Sequence, residues 1–547
     1  MRKHHLPEDK IELMHKHCDR YYGCCPLQEQ MMQILMEVAN FTLGEANAAR
    51  KIVAKKQMNK IPELKKLVYD KVNNPTIADY IWEVAVAPQL GYAFSLNHSL
   101  PYSFVGIQTI YLATAFNPIY WNTACLIVNS GATDEESGAS TDYGKIAKAI
   151  GDINAAGIKL SLININLSKF GFAPDVENNQ ILFGLKGLLN VGDDLIQEII
   201  EKRPYSSPKD FLYKVKPSKQ AMISLIKSGA FDEMEDRKFV MAWYIWETCD
   251  KKKRITLQNM NALIKYELLP YDSDKHAVAQ RVYEFNRYLK KVCKFNTTYY
   301  KLTDRAIDFL NELEYEKYIK ILDNGEFILD INQWDKIYQQ YMDIFRNWIA
   351  ENKDDILSSL NQKIFLEDWN KYAKGNISTW EMETLCFYYH DHELKNVDVL
   401  KYGFVDFYKL PENPIVDRTF SKNGKEINIY KLFKISGTCI AKNKTKSTVT
   451  LLTTSGVVNV KFRKEYFSLF DKQISIRQPD GSKKIVEKSW FNRGNMIVVM
   501  GMRSGDDFIV KKYSSSIGHQ LYKIEQINGK DLILRDKRYQ GDLEDDE

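Results

Sequence analysis

No stretch of this chain approaches the roughly 20 consecutive apolar residues that a bilayer-spanning helix needs. Its opening residues, Met1-Arg2-Lys3-His4-His5-Leu6-Pro7-Glu8, are charged and lack an apolar signal core. Membrane and secreted classes are therefore set aside, and a cytoplasmic location is expected. Its eight cysteines form no Cys-x-x-Cys pair, which points to reduced thiols rather than a disulfide framework or a zinc clip. His390-Asp391-His392 has no third ligand at useful spacing, and His4-His5 and His15-x-His17 lie near an unpatterned terminus. Walker loops and dinucleotide glycine fingerprints are missing. Also missing is a pair of aspartates in an apolar strand, the setting that holds two magnesium ions for phosphoryl transfer. Asp175 and Asp232 fall in turns or helix ends, so no residue is assigned a catalytic role.

What is present is length, hydrophobic content and unevenly placed charge. The 547 residues are 44% hydrophobic and carry a formal net charge of +5, enough for several domains with their own cores. Residues 430–513 hold 17 basic against 6 acidic side chains, whereas residues 303–372 hold 8 against 15. A basic domain beside an acidic one suggests a polyanion-binding surface and a solvated spacer. Met31, Ile34, Leu35 and Val38 recur at helical spacing, and residues 1–128 read as a helical domain. Residues 129–142 contain no bulky apolar side chain and read as a flexible loop. An α/β segment over 129–235 is followed by a helical insertion or linker over 236–372 and a connecting segment over 373–424. The β-branched runs 435–440, 447–452 and 457–462 place a small barrel at 425–515. A tail over 516–547 closes the chain, acidic and disordered after Tyr539.

Two features carry binding chemistry. Gly187-Leu188-Leu189-Asn190-Val191-Gly192 precedes an amphipathic segment, and a second helix pair closes at Leu225-Ile226-Lys227-Ser228-Gly229-Ala230-Phe231. Helix, apolar-x-apolar-Gly, helix is the form of a helix-hairpin-helix, whose turn aims backbone N–H groups at a phosphate without reading bases. Asn190 stands where that motif usually has its first glycine, and asparagine tolerates the left-handed conformation the turn requires. An ordinary helical hairpin would give the same pattern. In the barrel segment, Lys442, Lys444, Lys446, Lys461, Arg463, Lys464 and Arg477 alternate with Phe462, Tyr466, Phe467, Trp490 and Phe491. Cations that track a backbone beside aromatics that stack on bases make the single-strand surface of an OB-fold. The same aromatics would equally serve as barrel core. In Arg50-Lys51-Ile52-Val53-Ala54-Lys55-Lys56, Arg50 and Ala54 should share one helix face and Lys51 and Lys55 the next, which suits a triphosphate, a DNA backbone or plain solvation.

The order of these pieces resembles a known family. The segment Tyr22-Gly23-Cys24-Cys25-Pro26-Leu27-Gln28-Glu29-Gln30, Leu43-Gly44-Glu45-Ala46 and the basic cluster from Arg50 to Lys56 are similar to the fingers of the bacterial DNA polymerase III alpha subunit, the C-family replicative polymerase. Gly91 to Tyr102 resembles that family's Phe-Asn-Lys-x-His-Ser motif, with Ser95-Leu96 in place of Asn-Lys. The tandem hairpins ending at Asp232, the segment Glu381 to Leu385 with Tyr388 and His392, and Thr448 to Phe462 match the elements that follow. The resemblance implies a multidomain, mainly α fold with a C-terminal β-barrel. It also implies DNA replication by template-directed nucleotidyl transfer, with the incoming dNTP near Arg50, Lys51, Lys55, Lys56 and His98. Primer-template duplex would lie at Asn190, Gly192 and Gly229, and single-stranded template at Lys442, Lys444, Lys446, Lys461, Arg463 and Lys464. Mg2+ would be held by the family's palm aspartates, which this chain does not contain. The expectation is therefore half of a split polymerase, inactive alone and working with a palm-bearing chain in a bacterial cell or phage-infected host. A sliding clamp is a further candidate partner, although Gln258-Asn259-Met260-Asn261-Ala262-Leu263 matches a clamp-binding peptide poorly. A stand-alone, non-enzymatic DNA-binding protein derived from such a polymerase is the alternative.

Overall fold

A computed structural model describes residues 6–90, 94–132, 141–270, 274–294, 297–422, 425–478, 482–513 and 519–539. The expected loop over 129–142 and the disordered stretch after Tyr539 fall largely or wholly outside them. The chain divides into two compact units, Met1–Trp121 and Asn122–Glu547.

The first unit is helical, as its periodicity predicts. Helices α1 (Glu8–Cys18), α2 (Gln28–Glu37), α3 (Leu43–Ala54), α4 (Ile61–Val72) and α5 (Pro75–Ile81) surround one core. Met31, Ile34, Leu35 and Val38, spaced to fall on one face, are all buried in it. Thr42 and Glu45 start α3 with a reciprocal capping box: Glu45 N donates to Thr42 Oγ1 (3.3 Å) and Thr42 N to Glu45 Oε2 (2.8 Å). The chain then passes through a π-helical stretch (Trp82–Val86) to α6 (Leu96–Ala115) and α7 (Pro118–Ser130).

In the second unit, α8 (Tyr143–Ala155) precedes a small sheet of β1 (Lys159–Leu160), β2 (Ala173–Asp175) and β3 (Gln180–Leu182), in the order β1-β3-β2. Four short helices follow: α9 (Asp193–Glu201), α10 (Pro208–Val215), α11 (Lys219–Lys227) and α12 (Arg237–Thr248). The segment expected to be a helical insertion is mixed. Besides α13 (Met260–Lys265), α14 (Asp274–Tyr288), α15 (Asp304–Glu312), α16 (Ile331–Glu351) and α17 (Lys353–Tyr372), it holds four strands, β4 (Lys290–Lys294), β5 (Thr297–Lys301), β6 (Ile319–Ile321) and β7 (Phe327–Asp330), ordered β4-β5-β7-β6. These strands span three to five residues, too few for an alternating pattern to stand out between long helices. The connecting segment contributes α18 (Ile377–Leu385), α19 (Val399–Tyr402) and the hairpin β8 (Val416–Lys422)–β9 (Lys425–Tyr430).

The barrel is built from β10 (Phe433–Asn443), β11 (Thr448–Leu452), β12 (Val457–Lys461), then α20 (Lys464–Asp471), the hairpin β13 (Ile474–Arg477)–β14 (Lys483–Glu487), β15 (Met496–Ser504) and β16 (Asp507–Val510). Its order is β10-β11-β12-β16-β15, and β15 pairs back onto β10 to close it; only β12–β16 is parallel. Five strands closed in that order, with a helix between the third and fourth, form an OB-fold. Beyond it, β17 (Leu521–Asn528) and β18 (Asp531–Arg535) extend the sheet from β15. The expected tail over 516–547 is thus corrected: Leu521, Tyr522 and Ile524 give this stretch enough apolar surface to pair, and Leu521 and Ile524 are buried. The architecture is multidomain and mainly α, with a C-terminal barrel.

Candidate nucleic-acid interface

Two turns of the second unit share one backbone plan. Asn190 is left-handed (φ 65°), Val191 follows, and Gly192 caps α9. Lys216 is also left-handed (φ 51°), Pro217 follows, and Ser218 caps α11, its hydroxyl accepting from Ala221 N at 3.2 Å. Gly192 and Ser218 are both exposed, which leaves two helix N-termini open to anions. The fields differ. Asp193 and Asp194 occupy the first turn of α9, and Lys186 neutralises only Asp193 (2.5 Å). The first turn of α11 has no acid; beside it Lys214 pairs with Asp210 (2.9 Å) and Lys219 with Asp368 (2.7 Å), and Lys216 is exposed, so it is the more favourable phosphate seat.

The sequence reading found the first turn and misplaced the second. Residues 225–231 are buried throughout, and Gly229 (φ +84°) lies under a guanidinium: a Cβ there would stand 2.3 Å from Arg237 Nη2. Its role is packing, not DNA contact. Arg237 donates to Asp232 through Nε (3.0 Å) and Nη2 (2.5 Å), and through Nη1 to Lys227 O and Glu381 Oε1 (both 3.1 Å). Burial opposes its charge, but Asp232 and Glu381 hold it above the ordinary arginine range. Fully buried Glu381 also accepts from Tyr389 N and His390 N (both 3.0 Å) and from His390 Nδ1 (2.6 Å). Lys227 pairs with Glu383. The true second turn was legible in Val215-Lys216-Pro217-Ser218, a helix stop, a proline and an N-cap in sequence.

On the barrel, Lys444, Lys446, Lys461, Arg463, Lys464 and Arg477 are exposed. A cleft of about 480 Å³ is lined by Lys442, Lys444, Lys464 and Lys472, with Asp471 in its wall. Lys442 donates to Asp471 (2.5 Å), Ser489 and Asn492 (both 3.2 Å), while Lys444 stands 3.5 Å from Asp471. Lys461 pairs with Asp507 at 2.5 Å. A second cleft, across Arg463, adds Lys511 and Lys512, two cations outside the pattern of basic and aromatic residues described above. The aromatics play the other part left open for them: Phe462, Phe467, Trp490 and Phe491 are buried in the barrel core, and Tyr466 packs against it. The four buried rings offer bases no stacking platform, whereas half-buried Tyr466 lines the cleft across Arg463.

In the first unit, α3 ends at Ala54, earlier than the pattern implied. Lys56 turns left-handed (φ 53°) and Gln57 N reaches back to Ile52 O (3.0 Å), so Lys55 and Lys56 lie past the helix. Lys51, Lys55 and Lys56 are exposed. Arg50 donates to Asn47 Oδ1 (3.1 Å) and Gln28 Oε1 (3.2 Å). Beside Gln28, Glu29 accepts from Ser95 Oγ (2.8 Å) and Leu96 N (3.0 Å). Burial works against the Glu29 charge, yet these bonds and Arg50 hold its carboxyl below the usual range. The start of α2 therefore anchors both Arg50 and the first turn of α6, where His98 is exposed. Gly91, Tyr92 and Ala93 of the motif quoted above lie outside the described residues. No group of three His, Cys, Asp or Glu side chains that could hold a metal ion occurs among the described residues. Nor does Gln258–Leu263 offer a clamp peptide, because Met260 and Leu263 are fully buried in a neighbouring core.

Paired hairpin turns and an OB barrel on one chain define a helix-hairpin-helix protein, and residues 157–240 match the family description "Helix-hairpin-helix motif". Residues 2–75 match the "Bacterial DNA polymerase III alpha subunit finger domain". Over 561 aligned positions, 98% of this chain, it is 37% identical to "Probable DNA polymerase YorL" of Bacillus subtilis (strain 168) and to "DNA-directed DNA polymerase" of Bacillus phage SPbeta. It is 30% identical over 261 residues, 44% of this chain and 20% of the relative, to the "DNA polymerase III subunit alpha" of Thermus aquaticus. In its finger and helix-hairpin-helix segments the chain is similar to DNA polymerase III alpha subunits, and it spans 43% of the length of the Bacillus relatives.

Proposed function

We propose that this chain is the nucleotide- and DNA-handling portion of a template-directed DNA polymerase acting in cytoplasmic DNA replication. Arg50, Lys51, Lys55, Lys56 and His98 face the phosphates of the incoming dNTP. The turns at Asn190–Gly192 and Lys216–Ser218 grip primer-template duplex through backbone amides. The basic clefts beside α20 track single-stranded template by charge. The observation that carries this reading is the 37% identity to named DNA polymerases along 98% of the chain. Mg2+ and the carboxylates that hold it belong to a palm-bearing polypeptide, and this chain supplies positioning and charge. Primer extension tests the reading. The chain alone should not extend a primer at any magnesium concentration, and together with a palm-bearing polypeptide it should. Robust extension by the chain alone refutes the division of labour, and failure with every palm supplied favours a DNA-binding protein without enzymatic role.

A further inference from the structure

Helix α12 carries aromatic rings on both sides. Its inner face, Val240, Met241, Tyr244 and Ile245, is buried against α11 and α17. Phe239, Trp243 and Trp246 recur at i, i+4 and i+7 on the opposite face. There Phe239 is 60% exposed, Trp246 42%, and Trp243 is half-buried. Large rings left together on one open face mark an interaction surface. Trp246 meets the Phe365 ring of α17 edge-on, centroids 5.8 Å apart, and Lys251 Nζ stands 4.7 Å from the Trp246 centroid. Four consecutive cations follow the helix, Lys251-Lys252-Lys253-Arg254. Glu247 and Asp250 occupy the first two, pairing with Lys251 (3.8 Å) and Lys252 (2.5 Å), whereas Lys253 and Arg254 are exposed. The run is pinned in place: Lys252 N donates to Asn361 Oδ1 (2.7 Å), and Asn361 Nδ2 donates to Lys252 O (3.0 Å). Arg237 fixes the other end of α12 through Asp232 and Glu381. Glu235 and Asp236 lie at that end, so a polyanion is drawn to the Lys253 end instead.

We propose that this face binds single-stranded DNA, with bases stacked on Phe239, Trp243 and Trp246 and phosphates led past Lys253 and Arg254. The inference rests on the function proposed above and adds to it a surface for unpaired bases. Rings in a row beside cations make a single-strand site that is indifferent to sequence. Duplex DNA is excluded from it, because its bases are already stacked and paired and leave the helix only at a cost. The barrel presents the complementary half: its lysines are exposed, but its rings, Tyr466 apart, are buried. Unpaired bases therefore find on α12 the platform that the barrel withholds. Helix α11, whose N-terminus is the better phosphate seat, packs directly on α12, which puts the rings one helix away from the duplex grip.

The test uses the full chain, a labelled oligothymidylate followed by anisotropy, and the same oligonucleotide carrying 5-iodouracil for photocrosslinking. Crosslinked peptides should include residues from α12. The double variant Phe239→Ala, Trp246→Ala should bind the oligonucleotide at least about tenfold more weakly, with the log–log salt slope unchanged because rings neutralise no phosphate. Trp246→Phe, which keeps a ring, should retain most of the affinity. Lys253→Ala, Arg254→Ala should instead flatten the slope by about 1.4, at roughly 0.7 per contact. Duplex affinity should hold in all three. Unchanged binding by the ring variant, or crosslinks confined to the barrel, overturns the inference, assigns the aromatic face to a protein partner and leaves the proposed function standing. No binding of single strand or duplex by the unaltered chain overturns both. Should the ring variant melt early, the cation variant decides, and an unchanged slope in it overturns the inference.

Discussion

Two glycines of the hairpin region separate folding from DNA binding. Gly192 is extended (φ −82°, ψ 164°), and a Cβ built there meets nothing within 4 Å. Valine fits that backbone region, so Gly192→Val should cost no more than about 1 kcal/mol, the ordinary penalty of a poor N-cap. Gly229 is left-handed, and its Cβ would displace Arg237 from Asp232. Forcing alanine there adds about 1–2 kcal/mol of backbone strain, and pushing the buried Arg237 guanidinium off solvent-facing Asp232 adds to it. Gly229→Ala should therefore lower the urea midpoint severely, while Gly192→Val should leave it near that of the unaltered protein. Affinity should order the other way among molecules that remain folded. The isopropyl group at residue 192 stands before the amides of α9, and loss of an uncharged amide–phosphate contact should weaken duplex binding by roughly 0.5–1.5 kcal/mol with little change in the log–log salt slope, which counts neutralised phosphates. The loss should be partial, since the turn at Ser218 stays open and carries the better field. Anisotropy titrations of a short duplex between about 50 and 200 mM salt read this directly. An unchanged duplex affinity for Gly192→Val would refute the assignment of α9 as a phosphate seat, and a urea midpoint as low as that of Gly229→Ala would refute the steric argument.

Replacing Lys444, Lys446 and Arg463 together by alanine should flatten the salt slope for single-stranded DNA by about 2, at roughly 0.7 per contact, and spare stability because all three are exposed; an unchanged slope would remove the barrel from the template path. Arg50→Ala, assayed with a palm-bearing polypeptide, should raise the KM for dNTP by one to two decades, a charge-assisted bond being worth roughly 1.5–3 kcal/mol, while DNA affinity holds; a change in DNA affinity alone would reassign the residue. Acid should weaken the link between α18 and the barrel through His392. Its Nε2 donates to Leu452 O and its Nδ1 accepts from Leu394 N (both 3.0 Å), and burial depresses its pKa to about 4. The neutral ring is the folded form, so its stabilisation is complete above the unfolded value of 6.5, and up to about 3 kcal/mol is lost as pH falls to about 4. His392→Gln should remove that part of the pH dependence, and an unaltered profile in urea titrations would show that the ring is not the titrating group.

How much was legible varied with the range of the forces involved. The α2 stripe and the first three barrel strands were readable because each is a local periodicity: Met31 to Val38 repeats at 3.6 residues, and Val449 and Leu451 alternate on one barrel face. Asn190 was readable because a single left-handed position has few tenants. The strands β4–β7 were hidden by brevity, and β17–β18 by a polar exterior, since they are strands only because β15 offers an edge. The aromatic stacking platform failed for a different reason: composition marks a residue as aromatic but does not say on which side of a barrel it points, and Phe462 and Phe491 point in. Gly229 failed similarly, because the guanidinium that covers it arrives from Arg237 and is held by Glu381, 144 residues further on.

That clasp has a mechanical consequence. The residues just beyond α18 bond the barrel as well: the Tyr388 hydroxyl meets Thr438 Oγ1 (2.9 Å) and His392 meets Leu452. The short segment from Glu381 to His392 is therefore a strut with one end buried in the hairpins and the other in the barrel. Swinging one against the other would break the contacts of a buried arginine, a buried carboxylate and a neutral histidine, a cost of several kcal/mol. On the function proposed above, the offset between a duplex on the turns and a single strand on the barrel would be set by protein rather than by DNA, and the strut would work as a gauge for where paired template ends.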